Sequence, residues 1–320
     1  MIIVTGAAGF IGSALVSRLN EEGRSDLILV DDFTKTQKSE NLNNKSFHSK
    51  VDRKEFISSI DRYTEVDFIF HIGARTDTTE FDKAIFDELN LNYTKEIWNY
   101  CSRKKVPLIY ASSAATYGDG TLGFDDDPQT MPSLKPLNPY GDSKQDFDVW
   151  AMEQSEQPPF WVGLKFFNVY GPNEYHKGRM ASVVMHAFNQ IRTNGGMKLF
   201  MSHNENYEHG GQLRDFIYIK DVLNVIMFWY NHRQNSGIYN LGTGQARTFN
   251  DLANSVFKAL EIDPNIVFIP TPEDIRDKYQ YYTQAEMQRT IAAGYDLGFT
   301  SLEDGIGDYV RNYLLKNEYY

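Results

Sequence analysis

The sequence predicts an α/β fold, a Rossmann-type doubly wound parallel sheet that carries a second, smaller mixed α/β substrate lobe. Three observations predict it. Short apolar runs alternate with amphipathic segments through the first half of the chain. A glycine-rich turn, Gly6-Ala7-Ala8-Gly9-Phe10-Ile11-Gly12, follows the first apolar run and opens the first amphipathic segment. Tyr140 and Lys144 stand four apart at the start of a further helical pattern. With 320 residues, 41% of them hydrophobic, the chain has apolar material for one large core with a lobe attached.

Taken in order, Ile2–Val4, Leu27–Val30, Phe68–His71 and Leu108–Ala111 read as strands, each short, apolar and closed by a turn or polar residue. Between them, Ile11–Leu19 and Ile85–Tyr100 carry helical spacing. After Trp161–Phe167 the rhythm loosens into Gly-, Asn-, Pro- and Tyr-rich stretches at 168–178 and 202–211. Phe216–Ile219 and Ile238–Leu241 read as strands, and Thr248 as the N-cap of a helix reaching Leu260. The expected division is a dinucleotide-binding domain over 1–170, with a segment near 212–241 returning to its sheet. A substrate-binding lobe takes 171–211 and 242–320.

A net charge of -11 repels polyanions, so neither nucleic acid nor an acidic membrane is the expected partner. The single cysteine, Cys101, excludes an intrachain disulfide, and no metal site is expected. The start Met-Ile-Ile-Val-Thr-Gly has no basic flank, and the densest apolar run, Val225–Tyr230, is too short to cross a bilayer. A cytoplasmic protein is expected.

The glycine turn has the order that dinucleotide chemistry needs. Gly6, Gly9 and Gly12 let the backbone approach a pyrophosphate, and the helix opening at Phe10 and Ile11 offers it free N–H groups. Asp31 and Asp32 end the second strand, where a carboxylate would bond a ribose 2′-hydroxyl and favour NAD. Lys38 and Arg53 are close enough in sequence to neutralise a 2′-phosphate, or to be plain surface charge, so these residues leave NAD and NADP both open.

Pro139 near a helix start puts Tyr140 and Lys144 on one face, where an ammonium lowers a phenol's pKa toward that of a working base. Ser113, in Ala111-Ser112-Ser113-Ala114-Ala115-Thr116-Tyr117-Gly118, follows a strand at the sheet edge where such folds bind ligands. A hydroxyl donor, a phenol and a lysine in this order point to hydride-transfer chemistry.

With these residues in hand, the chain resembles the extended short-chain dehydrogenase family of nucleotide-sugar epimerases and dehydratases. Asn168-Val169-Tyr170-Gly171-Pro172, Arg214–Val222 and Asn240-Leu241-Gly242-Thr243-Gly244 add to the likeness. Within the family, His176-Lys177-Gly178, Tyr279-Gln280 and Thr283-Gln284-Ala285 resemble the branch that epimerises an ADP-heptose at C6″, for lipopolysaccharide core precursors. The resemblance implies transient oxidation to a ketone with bound NADP and re-reduction from the other face. Tyr140 would serve one face and Lys177 the other, unless Lys177 only pairs with a diphosphate.

It also implies cofactor contacts from Lys38, Arg53, Ala74, Asn92, Val169 and Lys177, which favours NADP, with NAD the alternative. Substrate contacts are implied for Ser113, Asn168, Arg179, His186, Phe200, His203, Arg214 and Tyr279. For Arg214 a salt bridge to Asp215 is the plainer reading. The implied assembly is a homo-oligomer, a pentamer. Four features depart from the family pattern: Ala7, Arg75, Arg179 and the long stretch 204–212. The rival reading is a hexose 4-epimerase. Ala114-Ala115 after Ser113 argue against a dehydratase, which needs an acid pair there. The intact tyrosine and lysine argue against a silent nucleotide sensor.

Overall fold

A computed structural model describes residues 1–276 and 279–320, with the backbone alone at 274 and 275. Its centre is a seven-stranded sheet of β1 (Ile2–Thr5), β2 (Leu27–Asp31), β3 (Ser49–Asp52), β4 (Phe68–His71), β5 (Leu108–Ser113), β6 (Trp161–Phe166) and β10 (Gly237–Leu241). The spatial order is β10-β6-β5-β4-β1-β2-β3, and every pairing is parallel. The order reverses between β1 and β4, so the strand ends there open a crevice, the place where doubly wound sheets bind ligands.

Both faces of the sheet are covered, which is why β1, β2 and β4 at its centre are almost wholly apolar, while the edge strand β3, Ser49–Asp52, is polar and only partly buried. Ile2, Val4, Leu27, Leu29, Phe68 and Phe70 pack on one side with α1 (Phe10–Glu21) and the helix Ile219–His232. Ile3, Ile28, Val30 and Ile69 pack on the other with the helices Tyr93–Lys104 and Pro139–Glu153.

The expected strands of the main sheet stand within two residues of their predicted ends, and β5 runs on to Ser113 and so carries that hydroxyl at its tip. The strand expected at Phe216–Ile219 instead runs from Leu213 to Tyr218, and Ile219 opens a helix. Thr248 does cap the helix Phe249–Leu260: its Oγ1 accepts from the Asp251 N–H at 2.9 Å and the Asp251 carboxylate accepts from the Thr248 N–H at 3.1 Å. The helix expected over Ile85–Tyr100 runs from Lys83 to Lys104, with a π-turn at Asp87–Asn92 inside it. Periodicity alone could not see that turn: the Asn90 side chain is drawn inward to bond the main chain of Arg75.

The returning segment needs correction. Only Gly237–Leu241 joins the main sheet, beside β6. The chain leaves that sheet at Phe167, so β7 (Asn168–Tyr170) pairs with β9 (Leu213–Tyr218), and β11 (Ala246–Thr248) completes a separate three-stranded sheet. A further parallel pair, β8 (Met197–Phe200) with β12 (Ile266–Ile269), lies beyond it. No described helix is long and apolar enough to cross a membrane.

Candidate active site

β1 delivers the chain to Gly6, which takes φ +66°, and α1 begins four residues later. The glycines are there because nothing larger fits. A Cβ on Gly6 would lie 2.5 Å from Gly73 Cα, and one on Gly12 would lie 2.1 Å from the Gly6 carbonyl oxygen. The loop, the N-terminus of α1 and the β4 end therefore close on one another through main chain. Beside them runs a cleft of about 370 Å³, lined by Gly6, Gly9, Phe10, Ile11, Gly12, Asp31, Asp32, Lys38, Arg53, Ala74 and Lys177 among others. A glycine cradle at a helix N-terminus over an open cleft fits a dinucleotide.

At the β2 end, Asp31 is buried and its carboxylate is engaged within the protein. Oδ2 accepts from the Ala8 N–H at 2.8 Å, and Oδ1 accepts from the Asp32 N–H at 2.7 Å and from the Lys38 ammonium. Asp32 faces Arg53 at 3.7 Å and Lys35 at 4.0 Å, and the Thr34 hydroxyl, then those cations, hold its carboxyl below the ordinary range. All five groups line the cleft, so two carboxylates meet three cations and the local charge is positive.

Ser113 sits at the β5 tip with its Oγ accepting from the Ala115 N–H at 3.1 Å. The neighbouring helix is started by the Asn138 side chain, which accepts from the Gly141 N–H at 2.9 Å, with Pro139 in its first turn. Lys144 is buried and donates to the Ala111 carbonyl at 2.7 Å, tying this helix to β5 two residues before Ser113. Burial lowers its ammonium to about 8, against the opposing charge of Asp148. The Ser113 hydroxyl lowers the pKa of the Tyr140 phenol, but burial outweighs it and holds the pKa above the ordinary value. The expected lowering by Lys144 does not appear: burial is the dominant influence on the phenol, and the Lys144 ammonium bonds the Ala111 carbonyl.

Behind this group lies a polar cluster that the motifs did not disclose. Asp148 and Lys165, both fully buried, pair at 2.8 Å. Tyr110 and Ser112 donate to Asp148 at 2.9 and 2.6 Å, and Lys165 donates to Thr116 at 2.7 Å. The available signal was spacing, since Tyr140, Lys144 and Asp148 recur every fourth residue on one helix face.

Asn92, expected to face the cofactor, is exposed and is not among the cleft residues. Its neighbour Asn90 is the buried one. It accepts from the Arg75 N–H at 2.8 Å and donates to the Arg75 carbonyl and the Ser143 hydroxyl, each at 3.0 Å. That joins the cleft wall to the Tyr140 helix. His71 is also buried, between Thr5 Oγ1 at 2.6 Å and Thr94 Oγ1 at 2.9 Å, and burial depresses its pKa to about 3.

Lys177 stands in the short helical turn Tyr175–Met180, half-buried, its ammonium 5.4 Å from the Phe10 ring centroid. Burial lowers its pKa while Glu174 opposes. Arg179 is exposed on the same turn and bonds both oxygens of Asp77 at 3.1 Å. His186 lies against the Arg179 carbonyl at 3.2 Å.

The remaining expected residues form a group of their own. Arg214 donates to the carbonyls of Leu213, at 2.8 Å, and Gln280, between the rings of Phe249 and Tyr279. Asp215 is occupied elsewhere, by Thr243, Gly244 and Ala285, so the plainer Arg214–Asp215 pairing does not form. Phe200 stacks edge-on to Tyr279 at 6.2 Å. His203 is exposed, its N–H donating to the Tyr281 hydroxyl at 2.9 Å, and Asn168 is exposed where β7 starts, with Val169 half-buried beside it. The Gln280 side chain donates to the Gly118 carbonyl and so joins this group to the loop after Ser113. Among the described residues, no group of three or more His, Cys, Asp or Glu could hold a metal ion.

Comparison with known proteins adds to this geometry. Residues 2–242 match the model of the NAD dependent epimerase/dehydratase family. The chain is 46% identical over its whole length to the whole of a Fusobacterium nucleatum protein named ADP-L-glycero-D-manno-heptose-6-epimerase. It is 48% identical, over 98% of each chain, to a Nitratidesulfovibrio vulgaris protein of the same name. The crystal structure of the Helicobacter pylori protein of that name superposes with a TM-score of 0.82 at 29% identity, covering 97% of this chain and 95% of that one.

Proposed function

Because the chain belongs to the NAD dependent epimerase/dehydratase family, we propose that it converts ADP-D-glycero-β-D-manno-heptose to its L-glycero isomer at C6″, supplying precursor for the lipopolysaccharide core. A bound nicotinamide dinucleotide supplies reversible hydride acceptance. Three cations against two carboxylates at the β2 end support NADP as that dinucleotide, over NAD.

The chain's own work is to hold the sugar and to move protons. Oxidation of an alcohol and reduction of a ketone each move one, and re-reduction from the opposite face asks for a second proton group. Tyr140, whose pKa the Ser113 hydroxyl draws down against burial, is the group for one face; Lys144 braces its helix against β5. Lys177 is the group for the other, its pKa brought down by burial toward the working range. Arg214 has no carboxylate partner among the described residues and holds the substrate diphosphate, with Tyr279 and Phe200 beside it. Asn168, Arg179, His186 and His203 complete the substrate contacts. A cytoplasmic homo-pentamer is the proposed form.

The observation that carries this reading is the pairing, in one chain, of two ionisable groups on separate elements, Tyr140 on the helix Pro139–Glu153 and Lys177 on the turn Tyr175–Met180. Its full-length relatives bear the heptose epimerase name. The test is incubation with ADP-D-glycero-D-manno-heptose, following C6″ configuration by NMR, with mass spectrometry of the dinucleotide released on denaturation. Tyr140→Phe and Lys177→Ala should each cut turnover by about 10²–10⁴-fold, with the folded protein kept in both. Turnover of a UDP-hexose with the heptose untouched would transfer the protein to the 4-epimerase reading.

A further inference from the structure

We propose that Arg75 binds the diphosphate of the dinucleotide directly, its charge left available because Arg179 neutralises the neighbouring Asp77. The inference rests on the dinucleotide reading of the cleft and adds a residue to it.

Arg75 stands two residues after Gly73, whose backbone abuts Gly6 in the phosphate loop. Its main chain is fixed at both ends by Asn90, through the N–H at 2.8 Å and the carbonyl at 3.0 Å. The side chain therefore leaves a rigid point and runs along the cleft, which it lines together with Gly6, Gly9 and Lys177.

The guanidinium is poorly satisfied where it lies. Among the described residues its buried Nε has no hydrogen-bond partner, and its one carboxylate contact is Nη2 to Asp77 Oδ2 at 3.4 Å. Asp77 already has better partners. Arg179 reaches both its oxygens at 3.1 Å, and Thr79 donates to Oδ1 through N–H at 3.1 Å and hydroxyl at 2.8 Å. Those Thr79 bonds first, and Arg179 next, keep the Asp77 carboxyl at about 2, so it is charged at any working pH.

Arg179 thus neutralises the carboxylate, and Arg75 is the surplus cation of a two-to-one cluster. Fixed guanidinium donors with one weak partner, beside a glycine cradle and a helix N-terminus, match the phosphate oxygens such a cradle receives. The lesser role open to Arg75 is to screen Asp77 from an anionic ligand.

A double-mutant cycle on binding separates the two roles. NADPH affinity is read by fluorescence titration in the wild type, Arg75→Met, Asp77→Asn and the double variant, with circular dichroism as the check on folding. Direct contact predicts that Arg75→Met weakens NADPH roughly ten- to hundredfold, whether it is made in the wild type or on top of Asp77→Asn. Adenosine 2′-monophosphate lacks both phosphates of the diphosphate and should bind all four proteins alike. If Arg75→Met loses its effect once Asp77 is removed, Arg75 only screens and the proposal is overturned. Equal weakening of the 2′-monophosphate overturns it too, by moving the residue to the adenosine end. Failure of the wild type to bind any dinucleotide would sink the cofactor reading itself, and this inference with it.

Discussion

In the dinucleotide cleft, recognition is built from main chain. Gly6, Gly9 and Gly12 lie close together in sequence, and their fit depends on atoms that every residue carries. Around Arg214 the opposite holds. Its surroundings come from β8, β9, the helix after β11 and the 279–281 stretch, and side chains bonded to distant carbonyls keep them together. A backbone site tolerates change around it and fails at its glycines. A side-chain site spreads its dependence over many residues, and none of them is marked by a local rule.

The largest expected effect tests the polar seam beneath the cleft, where His71 links β1 and β4. Its folded pKa of about 3 lies below the unfolded value of 6.5. Above pH 6.5 the ring is neutral in both states and costs nothing. As pH falls from 6.5 toward 3 the unfolded chain takes up a proton that the folded one does not, and stability drops. At ~1.4 kcal/mol per unit the loss reaches on the order of 5 kcal/mol. Urea unfolding across that range should show the slope, and His71→Gln should flatten it. An unchanged slope would remove His71 from the seam.

Next comes Gly12→Val, where the added Cβ meets a backbone oxygen that cannot swing away. It should cost about 3 kcal/mol in urea unfolding and abolish NADPH binding in a fluorescence titration. Retained binding would mean that the loop can give, against the rigid cradle described for it.

Arg214→Met should raise KM for the sugar nucleotide by roughly ten- to hundredfold, with NADPH affinity unchanged. A matching loss of NADPH affinity would blur the contrast between the two regions. Asn90→Ala, which strands the Arg75 backbone, should cost about 1–3 kcal/mol in urea unfolding. The smallest effect is expected at Asn92→Ala, within about 0.5 kcal/mol in the same measurement, since that side chain is exposed.

Those two asparagines show where reading from sequence stopped. Both stand in Asn90-Leu91-Asn92, and helical spacing cannot say which turns inward when a π-turn stands inside the expected helix. Asp77 and Arg179 are likewise 102 positions apart and meet only because two loops fold over one cleft. The Asp148–Lys165 pair was half visible, as the third member of a face that begins at Tyr140, but its lysine lies on another strand.

What the sequence determined by itself was everything carried by short range: the parallel α/β class, the glycine turn, the capped helix from Thr248, and the Tyr140–Lys144 face. Neighbouring residues settle these, because backbone sterics and helical or strand periodicity act over a few positions. Tertiary structure alone decided that β9 pairs with β7 and not with the main sheet, that Lys144 bonds a carbonyl, and that burial raises the Tyr140 phenol. Desolvation and long-range pairing depend on which distant segments exclude water from a group, and that is known only once the chain has closed around it.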